Sequence, residues 1–254
     1  MILDQFSLKD KTALVTGSSR GLGAGIALAL AEAGAQVAVH GSRAVPVATE
    51  QMLRKAAGST PFSVVGDVSK ADVCARLIDE VVAHFGRIDI LVNNAGTIRR
   101  APAVEHSDED WQLVIDTNLT IVFRLTKHAG KHMLARGSGK IINIASMLTF
   151  QGGITVPGYA AAKGGVGQLT KAFANEWASK GINVNAIAPG YMATDNTEAL
   201  RADPVRSRQI MERIPAGRWG TPEDLAGAAV FLASRASDYM HGHVLVVDGG
   251  WLSR

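Results

Sequence analysis

Tyr159 and Lys163, the ends of the segment YAAAK, stand four residues apart, a spacing that stacks them on one face of a helix. A phenol held against an ammonium can give and take a proton. Free tyrosine titrates near ~10. A cation ~4 Å away at an effective dielectric of ~20 is worth about 4 kcal/mol, or about three pKa units. That shift brings the phenol towards neutrality, where general acid–base catalysis works best. Ser146 falls where the β-branched run at 141–144 ends, so a hydroxyl is placed at a strand terminus just ahead of that helix. The spacing alone equally suits an ordinary amphipathic helix, and the rest of the chain has to decide.

The elements around this trio alternate. Residues 11–16 (KTALVT) read as a strand, and the turn GSSRGLG leads into a helix that ends at Gly34. Further strands are expected at QVAVH, PFSVVGDV, IDILVNNAG, 140–145, INVNAIAPG and HVLVVDGG, with helices at AVPVATEQMLRKAAG, 71–85, 111–136, 159–180 and TPEDLAGAAVFLAS. The stretch 195–213 reads as polar and helical, within a mobile substrate-loop excursion around 191–215. Strict alternation means parallel strands, right-handed crossovers and helices on both faces, and strands as apolar as ALVT and IDILV fit a sheet covered on both sides. The expected fold is therefore α/β, a single-domain doubly wound parallel sheet of Rossmann type with about seven strands. Ligands of such sheets lie beyond the carboxyl ends of the strands, and Gly17, Asp67, Asn93, Ser146 and Pro189 all fall there.

The turn at 16–23, TGSSRGLG, has glycines at 17, 21 and 23. Glycines let the backbone approach a pyrophosphate, and the helix start supplies N–H donors and positive potential. An acid at the end of the second strand would hold the ribose hydroxyls of NAD, but this chain reads His40-Gly41-Ser42-Arg43. Arg20 and Arg43 are suited to a 2′-phosphate, which leans towards NADP; solvated arginines with NAD bound remain the other reading. Asp67 and Val68 would lie over the adenine.

The bulk composition narrows the function classes. Of 254 residues, 47% are hydrophobic and 19% charged, enough for one large core. No apolar run approaches the ~20 residues of a membrane span, and the first apolar run already reads as a strand rather than a leader peptide. Cys74 is the sole cysteine, so neither a disulfide nor a cysteine zinc cluster is expected. No zincin H-E-x-x-H motif occurs, and no catalytic metal is expected. A net charge of +3 without a long basic run offers no nucleic-acid footprint. The expectation is a cytoplasmic protein that binds neither membrane nor nucleic acid.

These motifs together, TGSSRGLG at 16–23, NNAG at 93–96, Asn118, Ser146, Tyr159 with Lys163, and PGYMAT at 189–194, resemble the short-chain dehydrogenase/reductase family over essentially the whole chain. The resemblance implies a catalytic tetrad of Asn118, Ser146, Tyr159 and Lys163. In it Tyr159 exchanges the substrate proton, and Lys163 holds down its pKa and bonds the nicotinamide ribose. Ser146 would bond the substrate oxygen and Asn118 would hold a water. The same resemblance assigns the dinucleotide to Gly17, Ser19, Arg20, Leu22 and Gly23 of the turn, to Ser42 and Arg43, and to Asp67 and Val68. It adds Asn93, Ala95 and Gly96 after the fourth strand, and Pro189, Gly190, Met192 and Thr194 after the sixth. It also implies a homotetramer paired through the helices at 111–136 and 159–180.

The stretches TIRR at 97–100, RIPAGRWG at 213–220 and VDGGWLSR at the end are similar to the branch of that family acting on keto-deoxy and deoxy derivatives of gluconate, usually with NAD. A sugar acid needs a counter-charge, for which Arg99 and Arg100 are candidates, Arg100 foremost. Gln151, Tyr191 and Trp219 are further pocket candidates, and Trp251 is expected at a subunit interface or capping the core. The competing readings are a 3-oxoacyl-carrier-protein reductase, a gluconate 5-dehydrogenase and, outside enzymes, a nucleotide-binding regulator without turnover.

Overall fold

A computed structural model describes residues 1–58 and 60–254. The apolar runs form seven strands: β1 (Thr12–Val15), β2 (Gln36–Gly41), β3 (Phe62–Val65), β4 (Ile90–Asn93), β5 (Gly139–Ile144), β6 (Ile182–Pro189) and β7 (Val244–Val247). They make one sheet in the order β3-β2-β1-β4-β5-β6-β7, with every pairing parallel. Between them run α1 (Gly21–Glu32), α2 (Val47–Ala57), α3 (Ala71–Phe85), α4 (Asp108–Ile115), α5 (Ile121–Arg136), α6 (Pro157–Trp177), α7 (Glu198–Ala202), α8 (Pro204–Arg213) and α9 (Ala226–Ala233). Parallel neighbours need a crossover, and a right-handed one sends the chain to one face for β1 to β3 and to the other for β4 onwards.

The alternation of side chains along each strand divides the interior in two. Leu14, Leu91 and Ile141 point into a core with Leu77 and Ile78 of α3, Leu125 of α5 and Val166 of α6. Ala13, Val15, Val92 and Ile142 point the other way, against Ile26 and Leu30 of α1 and Leu232 of α9. Burial on both faces is why these strands read as unbroken apolar runs. The order reverses between β1 and β4, whose paired ends are Val15 and Val92, and the loops after them part to leave a crevice.

Two segments differ from the sequence expectation. The helix expected across 111–136 starts at Asp108 and is interrupted by a π turn at Asp116–Thr120. There the Ile121 N–H reaches the Asp116 carbonyl, one residue beyond helical spacing. The 195–213 stretch is indeed helical, as α7 and α8, but it is pinned: Ile210 and Ile214 are buried with Trp251 and Met147 in a third apolar cluster. Trp251 caps this core, with Tyr191 at 4.7 Å and the Arg213 guanidinium 4.0 Å above its ring.

Candidate active site

A cleft of about 470 Å³ opens at the carboxyl ends of β1, β2, β4 and β5. Its floor is the β1–α1 turn. Gly17 and Gly21 have φ of +62° and +56°, conformations that favour glycine. A Cβ on Gly17 would stand 2.8 Å from the Ala95 Cα, and one on Gly23 would stand 2.4 Å from the Gly17 carbonyl oxygen. The turn is thus packed backbone to backbone.

The helix that follows is left open at its start. The N-cap of α1, Arg20, makes no side-chain cap bond, and the first turn holds no acid. In α4, by contrast, Ser107 accepts from the Asp110 N–H and Asp108, Glu109 and Asp110 crowd the first turn. An uncapped, acid-free helix start facing a cleft presents N–H donors and positive potential, which fits the pyrophosphate of a dinucleotide. Ser19, Arg20, Leu22 and Gly23 line this end as expected.

Beyond the end of β2 the cleft is lined by Ser42 and Arg43, and beyond β3 by Asp67 and Val68. Arg43 makes no ion pair among the described residues, whereas Arg20 pairs with Asp195 at 2.7 Å, both side chains being well exposed. Asp67 accepts from the Ser69 N–H and hydroxyl, and these bonds hold its carboxyl below the usual range.

At the far end of the cleft stand Tyr159, Lys163 and Asn118. Lys163 is 5% exposed. Its Nζ donates to the Ile144 carbonyl at 2.6 Å and lies 5.5 Å from the centre of the Tyr159 ring. Burial lowers its pKa to about 8. The Tyr159 phenol is held above its ordinary value by burial, with the Ser146 hydroxyl, as donor to the phenol oxygen, and the nearby Arg100 charge pulling it back. This corrects the expectation of a phenol drawn towards neutrality by its lysine: desolvation acts on both groups, and the ammonium is aimed at a strand carbonyl. Ser146 is buried at the end of β5, where its Oγ also accepts from the Leu148 N–H. Asn118 is buried in the π turn, and both its amide hydrogens are spent on the carbonyls of Thr97 and Val114. Its Oδ1 accepts the Thr97 N–H. The side chain therefore ties the loop after β4 to the helix rather than standing free to hold a water. A Cβ on Gly96 would meet that Oδ1 at 2.6 Å.

Some expected residues lie elsewhere. The Asn93 amide is turned into the sheet, donating to Asn143 at 2.8 Å and Thr126 at 3.1 Å. Asn94 lines the cleft instead and clamps the turn by donating to the carbonyls of Thr16 and Gly17 at 2.9 and 3.0 Å. Strand alternation separates the two only once the end of β4 is known, because the last in-register residue of a doubly covered strand points into a core. Ala95, Gly96 and Thr194 do line the cleft. Pro189 ends β6 in register with Val247. Gly190, Met192 and Tyr191 border a separate cavity of about 130 Å³, with the Met192 side chain buried. Tyr191 packs edge-on to Trp219 at 5.5 Å and to Trp251, and Gln151 is not part of the cleft lining. Of the substrate candidates, Arg100 is the one whose charge reaches Tyr159. It makes only a long contact, 3.4 Å, to the Asn196 carbonyl. Arg99 is paired with Asp110 at 3.2 Å. Among the described residues no group of three His, Cys, Asp or Glu side chains could hold a metal ion, and no helix is long and apolar enough to cross a membrane.

The chain can be set beside known proteins. A family model described as enoyl-(acyl carrier protein) reductase matches residues 17–252. The 2-dehydro-3-deoxy-D-gluconate 5-dehydrogenases of Pseudoalteromonas atlantica and Escherichia coli are 58% and 56% identical, each alignment covering 100% of both chains. A solved structure from Agrobacterium tumefaciens, provisionally described as a 2-deoxy-D-gluconate 3-dehydrogenase with bound NADP, is 55% identical with a TM-score of 0.92, covering 99% of this chain and 100% of that one. With the order of its sheet, the glycine turn and the Ser-Tyr-Lys cluster, this places the chain plainly: it is an oxidoreductase belonging to the short-chain dehydrogenase/reductase family.

Proposed function

We propose that this protein interconverts a secondary alcohol and a ketone on a six-carbon sugar acid, 2-dehydro-3-deoxy-D-gluconate before 2-deoxy-D-gluconate, with a nicotinamide dinucleotide. One observation carries the reading: the Tyr159–Lys163 pair, with Ser146 beside the phenol, shares a single cleft with an uncapped helix start suited to phosphates. The full-length similarity to 2-dehydro-3-deoxy-D-gluconate 5-dehydrogenases supports the substrate. NADP is favoured over NAD by Ser42 and Arg43 standing where an acid would select NAD, and by the NADP bound to the Agrobacterium relative.

When bound, the dinucleotide supplies a carbon that accepts or returns a hydride. The turn at 17–23 would hold its phosphates, Ser42 and Arg43 its ribose phosphate, and Asp67 and Val68 its base. Ala95, Gly96 and Thr194 would border it, and Lys163 would bond its second ribose. Ser146 bonds the reacting oxygen and sets it beside Tyr159. In the direction of reduction Tyr159, protonated at neutral pH because burial raises it, gives its proton to the carbonyl oxygen. In oxidation it would take the hydroxyl proton as phenolate, which requires its own proton to leave first. Lys163, titrating at about 8, exchanges protons near neutral pH and so is placed to restore the phenol. The π turn would carry any water through its backbone, since the Asn118 side chain is occupied. Arg100 would receive the substrate carboxylate.

A homotetramer in the cytoplasm is the assembly and compartment the family likeness implies, and the exposed Trp111 of α4 and Phe123 of α5 support a subunit contact at those helices. The test follows absorbance at 340 nm with each cofactor against keto-deoxy gluconates, gluconate and 3-oxoacyl thioesters. Turnover with the deoxy sugar acids is expected, and a preference for acyl thioesters would replace this reading with that of a carrier-protein reductase.

A further inference from the structure

His40 is buried, 1% exposed, at the end of β2, and both its ring nitrogens meet backbone. The Gly17 N–H approaches Nδ1 at 2.9 Å, and the Gly66 carbonyl lies 2.8 Å from Nε2. An N–H can only donate and a carbonyl can only accept. The backbone therefore fixes the tautomer: Nδ1 carries the lone pair and Nε2 the hydrogen. The main chain of the same residue doubles the link, since the His40 N–H donates to the Ser18 hydroxyl at 2.8 Å and its carbonyl accepts the Ser18 N–H at 3.1 Å. One neutral imidazole thus ties the first glycine of the phosphate turn to the strand end beside the adenine side of the cleft.

We infer that His40 is a positioning residue that holds the phosphate turn in its binding conformation only while its ring is neutral. A second proton has one place to go, Nδ1, where it would face the Gly17 N–H donor to donor. The turn then loses its side-chain anchor at the Gly17 N–H, and only the Asn94 clamp and the main-chain bonds of Ser18 still hold it. The groups that could bias this titration are few. Asp67 faces the ring from the β3–α3 connection and favours the proton. Arg20 on the turn and Arg43 after β2 share the cleft. Ser18 on the turn and Thr49 of α2, which donates to the Ser18 carbonyl at 2.8 Å, do not titrate. Burial, the largest influence, keeps the ring below the ordinary histidine value. The protein therefore loses its grip on the dinucleotide on the acid side of neutrality and keeps it above.

The inference rests on the cleft taking a dinucleotide, and the experiment separates the two. Binding of NADPH and of NADH is titrated by fluorescence from pH 5 to 8 for the wild type, His40→Asn and His40→Leu, with kcat measured at saturating cofactor. Asn keeps an acceptor near the Nδ1 position and cannot take the proton, whereas Leu removes both bonds. His40→Leu should bind about tenfold more weakly at pH 8 with kcat nearly unchanged, and His40→Asn should recover most of that loss. The wild type should weaken towards about tenfold per pH unit once below the titration of the ring, and His40→Asn should lack that part of the slope. The 2′-phosphate's own titration is common to all three proteins and absent with NADH. A wild type that binds neither cofactor would defeat the functional reading. Wild-type binding with an equal acid slope in His40→Asn defeats this inference alone, and that comparison stands even if His40→Leu does not fold.

Discussion

The two ends of the cleft are built from different material. The end proposed for the dinucleotide is backbone: glycines at 17, 21 and 23, the open N-terminus of α1, and the amide of Asn94 and ring of His40 clamping the turn through main-chain groups. The end proposed for the substrate is side chain. Arg99 and Arg100 are exposed arms on the loop after β4, and α8 is pinned through Ile210 against Ile214 and Trp251. Between the two, Tyr159 and Lys163 sit where burial moves both pKa values. A site made of backbone presents the same groups whatever its neighbours do, while a site made of long side chains can be re-aimed by one substitution. Such a division lets a fold keep its cofactor while its substrate changes.

The sharpest way to break this comparison is at its middle. Tyr159→Phe removes one oxygen and should cut kcat by about a thousandfold in either direction, with the cofactor dissociation constant unchanged by fluorescence titration. Retained turnover would remove tyrosine from the chemistry.

Lys163 sharpens it next, through stability. Its pKa falls from 10.5 in the unfolded chain to about 8 when folded. Between those values the unfolded state binds more protons, so stability rises with pH from 8 to 10.5, and below 8 the buried charge costs roughly 3 kcal/mol. Lys163→Met should lack that alkaline rise in urea unfolding while losing activity. An identical pH slope would mean that the ammonium is solvated.

At the substrate end, Arg100→Ala should raise KM for a sugar acid about tenfold and leave a neutral polyol unaffected. Arg99→Ala, which removes a side chain already held by Asp110, Thr97 and the Ile98 carbonyl, should change either by about twofold or less. Equal effects of both variants on both substrates would erase the distinction between the two arginines.

The chain order already spelled out the sheet. Apolar four- to six-residue runs alternating with longer periodic stretches leave few topologies once crossovers are right-handed, and every expected strand lies in the single sheet. Tyr159 and Lys163 were legible because four residues on a helix fix their relation locally, and the glycine turn because its conformations exclude other residues. Asn118 was legible as an oddity within a helix, but not as the centre of a π turn whose amide is fully spent. That depends on the loop at Thr97, which local propensity does not reach.

Everything decided by direction needed the tertiary structure. Which of Asn93 and Asn94 faces the cleft follows from where β4 leaves the sheet. Which arginine is free follows from Asp110 lying beside Arg99. The sequence, by itself, determined the sheet, the cleft and the pairing of Tyr159 with Lys163, because those follow from periodicity and backbone sterics. The tertiary structure alone decided the protonation tendencies of Tyr159, Lys163 and His40, because they depend on desolvation, and desolvation is set by what packs around a group rather than by what precedes it in the chain.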